Sequence, residues 1–174
     1  MTLGDATAMA ADERALELGH AQRRSWIFWA WFYGAALAIT GAVDAMLSGL
    51  VGQDTSRGRE TIFLGAPISA AGWLLTIGVR FSTKLPKPAK DLPRLEQGIR
   101  LTPGLVKVLV IAAVLIAAAM IFLTPRGTSL ETLPYTGLLA TAILSVAAGL
   151  ARSGWLFRNS RQLYLRWLER RWGR

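Results

Sequence analysis

The chain has 174 residues, 52% of them hydrophobic and 18% charged, with a formal charge of +9. It has no cysteine and one histidine, His20, which excludes disulfides, thiolate metal sites and bis-histidine haem ligation. Neither paired carboxylates, a metal cluster, a phosphate-binding glycine loop nor a soluble basic module accompanies the positive charge, so the pattern argues against an enzyme, a metal or cofactor protein and a nucleic-acid binder.

The apolar residues are gathered into four blocks, about 26–51, 62–82, 104–124 and 134–157. Each is close to the roughly 20 residues a helix needs to cross a hydrocarbon core of about 30 Å. The pattern predicts an all-α integral membrane protein: a four-transmembrane-helix bundle over 25–157, an N-terminal segment over 1–24 and a basic tail over 158–174.

Residues 8–24, AMAADERALELGHAQRR, predict a short polar helix ahead of the membrane. Asp12 and Glu13 come early and Arg23 and Arg24 late, as the helix dipole favours. The first apolar block opens SWIFWAWFYG, which places Trp26 and Trp29 in an interfacial aromatic belt and Trp31, Phe32 and Tyr33 deeper. It is too long for a signal peptide and lacks a small-residue cleavage site before a polar mature domain, so it is read as a retained helix. Within it stands a carboxylate, Asp44, in ITGAVDAMLSG. An ionisable group in a membrane helix faces the bundle interior and is a functional candidate by default.

In the second block Pro67 cannot donate a backbone hydrogen bond, which predicts a helix start or a kink there. The following connector carries Pro86, Pro88, Pro93 and Pro103 and is expected to be irregular. Thr102 and Pro103 form an N-cap and first-turn pair for the third helix, and Pro125 marks its end. That helix has one charge, Lys107, near enough to its start to snorkel to the headgroups. The fourth block carries a ladder of small side chains, Gly137, Thr141, Ser145 and Gly149, and the first block has Gly41, Ala45 and Gly49. Residues four apart share a helix face, and small ones let neighbouring backbones approach, so both seams are expected inside the bundle. The tail is amphipathic, with Leu163, Tyr164 and Trp167 on one face. Its arginines, Arg158, Arg161, Arg166, Arg170 and Arg171, are expected to bind anionic headgroups from an interfacial helix.

Lysine and arginine are dense in the N-terminal segment, the middle connector and the tail, and sparse in the other two connectors. That alternation predicts a multi-pass protein of the plasma (inner) membrane with both termini cytoplasmic. At about 1.5 Å per residue, Asp44, Ser69 and Thr141 fall at similar depth and form a candidate polar layer. The alternative is a water-filled dent in which Asp44 reaches Arg57, Arg59 or Arg126. A carboxylate buried without a positive partner would suit proton uptake and release. The reading that follows is an accessory or structural subunit of a membrane complex, with the lipid bilayer and other membrane subunits or further copies of itself as partners. The alternative is a small, homo-oligomeric proton-coupled transporter or channel using Asp44.

Overall fold

A computed structural model describes residues 3–82, 84–123 and 131–172, with side chains from residue 9 onward. No proline interrupts the chain before residue 67, and the first helix, α1, runs unbroken over Leu3–Leu50. Its 48 residues extend about 72 Å, more than twice the thickness of a hydrocarbon core. The polar segment and the first apolar block are therefore one element. Residues up to about 24 project beyond the apolar stretch as a stalk.

A tight turn follows, with Gly52 at φ +73°. The Asp54 carboxylate accepts the Ser56 backbone N–H at 3.0 Å and starts α2, Ser56–Leu75. This start lies six residues ahead of the expected boundary, and Pro67 sits inside the helix. Thr76 interrupts it, donating its hydroxyl to the carbonyls of Gly72 and Trp73 at 3.0 and 2.9 Å, before the short α3, Ile77–Arg80. A strap over 84–91 then crosses the α1 stalk, where the Ala89 N–H donates to the Ala15 carbonyl at 2.9 Å. Gly19 permits that crossing: a Cβ there would lie 2.0 Å from the Lys87 carbonyl oxygen.

The next helix, α4, is Leu92–Leu123. It begins ten residues ahead of Thr102, so the Thr102–Pro103 pair is interior and not a cap. Pro93 occupies the first turn instead, where a missing N–H leaves no bond unmade. Thr102 donates its hydroxyl to the Gly98 carbonyl at 2.7 Å, a bond within the helix. Lys107 is exposed. Pro125 and Arg126 lie outside the described residues. Helix α5, Leu133–Arg158, starts with Pro134 in its first turn. A break at Asn159 precedes α6, Ser160–Trp172.

The long helices pack as a row, α2–α1–α5–α4, and α6 folds back along α1. Three of them, α1, α4 and α5, are long and apolar enough to cross a membrane. α2 carries Arg57, Arg59 and Glu60 in its first turns and falls short of that measure. On α4 only Ala113 is buried, while Leu105, Val108, Ile111, Val114 and Leu115 are exposed. Such an apolar exterior suits lipid.

The closest helix contact is between α1 and α2, on a stripe of glycines seven residues apart: Gly58, Gly65 and Gly72. A Cβ on Gly65 would lie 2.5 Å from the Ala38 nitrogen and 2.6 Å from the Gly34 oxygen; one on Gly72 would lie 1.8 Å from the Ala30 oxygen. Seven-residue spacing keeps the contact on one stripe as two helices wind around each other. The two small-residue ladders face different neighbours. Gly41 and Ala45 meet Gly58 of α2, and Gly49 is exposed. On α5, Gly137 and Gly149 are sockets for large side chains of α1, Leu47 and Trp29, while Thr141 and Ser145 are half-buried.

The best-buried apolar cluster lies at the stalk, where Ala15, Leu18 and Ala21 of α1 meet Leu156 of α5 and Leu163 and Tyr164 of α6. The apolar face of the tail is thus covered largely by protein. Its side chains stabilise the α1–α6 contact by about 1.5–3 kcal/mol each when fully buried.

Candidate functional site

Asp44 is buried, with 1% of its surface exposed. Its two carboxylate oxygens accept hydrogen bonds from Arg57, from Nε at 3.0 Å and from Nη2. This is a bidentate ion pair, the geometry a guanidinium fork matches best. The Arg57 guanidinium also sits over the Tyr135 ring of α5 at 4.4 Å from its centre. One charge pair and one cation–π contact therefore tie α1, α2 and α5 together. The arrangement follows from the early start of α2: Arg57 lies in its first turn, beside Gly58, which packs on Gly41 and Ala45.

Of the two expected surroundings of Asp44, the structure has the arginine and lacks the polar layer. The Ser69 backbone meets Gly34, ten residues from Asp44 along α1 and so about 15 Å away. Thr141 lies one turn beyond Gly137, which faces Val43 and Leu47. The second helix starts at Ser56, six residues ahead of Ile62, which carries Ser69 deeper than the apolar block alone implies. The condition for a proton-cycling carboxylate, absence of a positive partner, is not met.

A second cluster lies at the opposite end, around the stalk. Ser25 and Ser153 hydroxyls are 3.1 Å apart and the Trp29 indole N–H donates to Ser153 at 2.8 Å, which pins α1 to α5. Arg23 donates to the carbonyls of Val79, Ser82 and Lys84, closing the end of α3. Glu17, buried, is held by Arg14 at 2.9 Å and faces Arg161 at 3.9 Å. Arg14 also donates to Ser160 at 3.0 Å, so these contacts fasten α6 to the stalk.

Between α1, α3, α5 and α6 is a cavity of about 620 Å³ lined by six arginines: Arg23, Arg24, Arg80, Arg152, Arg170 and Arg171. No carboxylate is among its lining residues. Five of the arginines have internal contacts. Besides Arg23, Arg80 donates to the Thr76 hydroxyl at 3.2 Å and Arg170 to the Arg166 carbonyl at 3.1 Å. Arg152 and Arg171 lie over the rings of Trp155 and Trp167. Arg24 has no hydrogen-bond or ion-pair partner among the described residues. Burial, and then Arg152 and Arg170, hold its guanidinium below the ordinary arginine range.

His20 stands at the back of this cavity, 5% exposed, with neither ring nitrogen hydrogen-bonded. The rings of Tyr164 and Trp167 flank it at 6.0 and 5.6 Å. Its pKa is pushed down to about 4 by burial first, then by Arg24, Arg23 and Arg170. The nearest carboxylate along α1, Glu17, is already paired with Arg14.

A pH dependence follows. Below about pH 6.5 unfolded chains take up a proton on His20, whereas folded chains do so only near pH 4. The stability His20 contributes is therefore fully present above pH 6.5 and is lost as pH falls through that window. Thermal unfolding in detergent should show His20→Gln flattening this part of the curve, with a difference of up to one proton between variant and parent. Parallel curves would exclude the assignment.

The arginines of this cavity were legible only as orientation marks. Arg23 and Arg24 precede one apolar stretch, Arg80 and Arg152 end two others, and Arg170 and Arg171 close the tail. Placing all of these on one membrane side was the available signal for a cluster; which of them share a cavity depends on how the helices pack. Of the tail arginines assigned to headgroups, Arg170 and Arg171 line the cavity and Arg161 faces Glu17. Arg158 donates to the Gly154 carbonyl at 3.3 Å, and Arg166 is exposed.

The fold and these groups define a class: an all-helical protein with three helices able to cross a membrane. No protein-family model matches the chain, and neither a curated protein nor a solved structure shows significant similarity to it.

Proposed function

We propose that this chain is a four-span protein of the plasma (inner) membrane, with both termini cytoplasmic, acting as an accessory or structural subunit of a membrane assembly. The observation that carries this reading is the state of Asp44. The one carboxylate deep in an apolar stretch is occupied on both oxygens by Arg57. A coupling group must be free to exchange a proton as it works, whereas here both oxygens are engaged by one guanidinium fork that also sits over Tyr135, the geometry of a clasp between helices. Asp44 then serves to join helices, and the apolar face of α4 is left for lipid, other subunits or a second copy.

The count of four spans rests on α2. It runs antiparallel to α1 with its backbone in contact from Gly58 to Gly72. A bilayer that holds the apolar part of α1 holds α2 at the same depth. Arg57 and Arg59 then lie at one boundary and Arg80 near the other. The density of lysine and arginine at the stalk end supports placing that end in the cytoplasm. There α6 lies beside the inner surface, with exposed Arg166 toward the headgroups.

Reporter fusions test the topology: one after residue 55 should report the outside and one after residue 174 the inside. The same side for both would refute it. Purification in mild detergent tests the role. Co-purification of stoichiometric membrane subunits is expected; a homo-oligomer that moves protons, with transport lost in Asp44→Asn, would instead establish the transporter reading.

A further inference from the structure

The six-arginine cavity concentrates positive charge at the stalk. Six arginines line it with no carboxylate among the lining residues described, and Arg152 and Arg170 lie near enough to Arg24 to repel its charge. Arg24 is half-buried beside Arg152 and Arg170, with no hydrogen-bond or ion-pair partner among the described residues. His20 is 5% exposed, and neither of its ring nitrogens has a hydrogen-bond partner among the described residues. A buried polar group without a partner costs free energy and calls for an explanation, of which a missing ligand is one.

The walls say more about that ligand. Ile27, Phe28 and Trp31 line the cavity one to two turns along α1 from Arg24, on the side of the apolar stretch, and Leu156 of α5 joins them. The cavity is thus basic at the stalk and apolar toward the bilayer. Its volume of about 620 Å³ exceeds what a lone phosphate fills and lies within the roughly 300–1,000 Å³ of small-molecule sites. Basic pockets at the cytoplasmic ends of membrane helices suit phospholipid headgroups on these grounds.

We propose that this cavity binds the headgroup of an anionic phospholipid carrying two negative charges. Arg24, Arg152 and Arg170 hold the phosphate oxygens, His20 donates its one N–H to them, and Phe28 and Trp31 receive the first part of the acyl chains. The site goes beyond the subunit role and beyond diffuse attraction of a basic tail to a membrane surface. It is an open pocket lined by four helices, and lipid bound there bridges the stalk, α5 and α6.

Because His20 is the chain's single histidine, it is a built-in reporter. The full-length protein, labelled with 15N-histidine in dodecyl maltoside, is titrated with tetraoleoyl cardiolipin, dioleoyl phosphatidylcholine or inorganic phosphate at matched ionic strength. Cardiolipin should shift the His20 ring resonances saturably, with phosphatidylcholine silent and inorganic phosphate at least tenfold weaker. Arg24→Gln with Arg170→Gln should weaken cardiolipin binding at least tenfold. Arg166→Gln with Arg158→Gln, which removes the same charge outside the cavity, should change it less than twofold. Without lipid, Arg24→Gln should melt no lower than the parent, since it removes a repulsion.

Equal loss of affinity in the two double variants would reduce the effect to surface charge and overturn the site. Phosphate binding as tight as cardiolipin would overturn the lipid assignment in favour of a free-anion site. A parent protein whose His20 signals ignore cardiolipin would overturn the proposal without recourse to any variant.

Discussion

Replacing Gly72 with alanine should cost the protein about 3 kcal/mol or more and separate α1 from α2 at that point. The added carbon would lie 1.8 Å from the Ala30 carbonyl oxygen, 2.5 Å from its carbon and 3.0 Å from the Trp31 nitrogen. All three are backbone atoms of α1, so no side chain can rotate aside; one helix must move as a body. Moving it also loosens the contacts at Gly65 and Gly58 on the same stripe. Gly104→Ala is the matched control, because a Cβ there meets nothing within 4 Å. It should be neutral or stabilising by about 0.5–1 kcal/mol, the entropic gain of removing an interior helix glycine. Equilibrium unfolding in mixed micelles compares the two. Similar effects at residues 72 and 104 would mean that α1 and α2 do not touch as described.

Arg57→Ala should be the most damaging change at the charge pair, by about 2–3 kcal/mol, and clearly worse than Asp44→Ala. The reason is the unequal burial of the partners: the Asp44 side chain is 2% exposed and that of Arg57 43%. Removing the arginine strands a carboxylate inside the protein, and breaking a buried pair in this way costs about 3–5 kcal/mol. The estimate is lowered here because water reaches the arginine side and screens the pair. Removing the carboxylate leaves a guanidinium that can turn outward from Tyr135 into solvent, so Asp44→Ala should cost nearer 1 kcal/mol. Asp44→Asn keeps a hydrogen-bond acceptor for Arg57 and should be milder still, with assembly retained. Unfolding of the three variants at one pH and salt concentration gives the order directly. An inverted order would place Asp44 nearer to water than Arg57.

Residue patterns by themselves determined the helical class, the places where apolar helices run and the crowding of positive charge at one end. Each of these is a property of a chain segment: a run of apolar residues is apolar whatever it packs against. Helix ends followed less well, because helices propagate cooperatively through marginal residues. The stalk and first apolar block fused through Arg24 and Ser25, and α4 began at Leu92 despite the later Thr102–Pro103 pair. Only the tertiary structure decided the relations between segments. Gly58, Gly65 and Gly72 stand seven residues apart in the sequence, where no seam was expected, and their register against Gly34 and Gly41 is set by the closest fit of two backbones. That register, and not hydropathy, puts Arg57 opposite Asp44 and moves Ser69 about 15 Å away. The apolar face of α6 carried the pattern of a membrane-surface helix, yet a stalk of matching polarity within the same chain covers Leu163 and Tyr164. An amphipathic face records that something apolar must meet it; which surface does so depends on what the fold brings within reach.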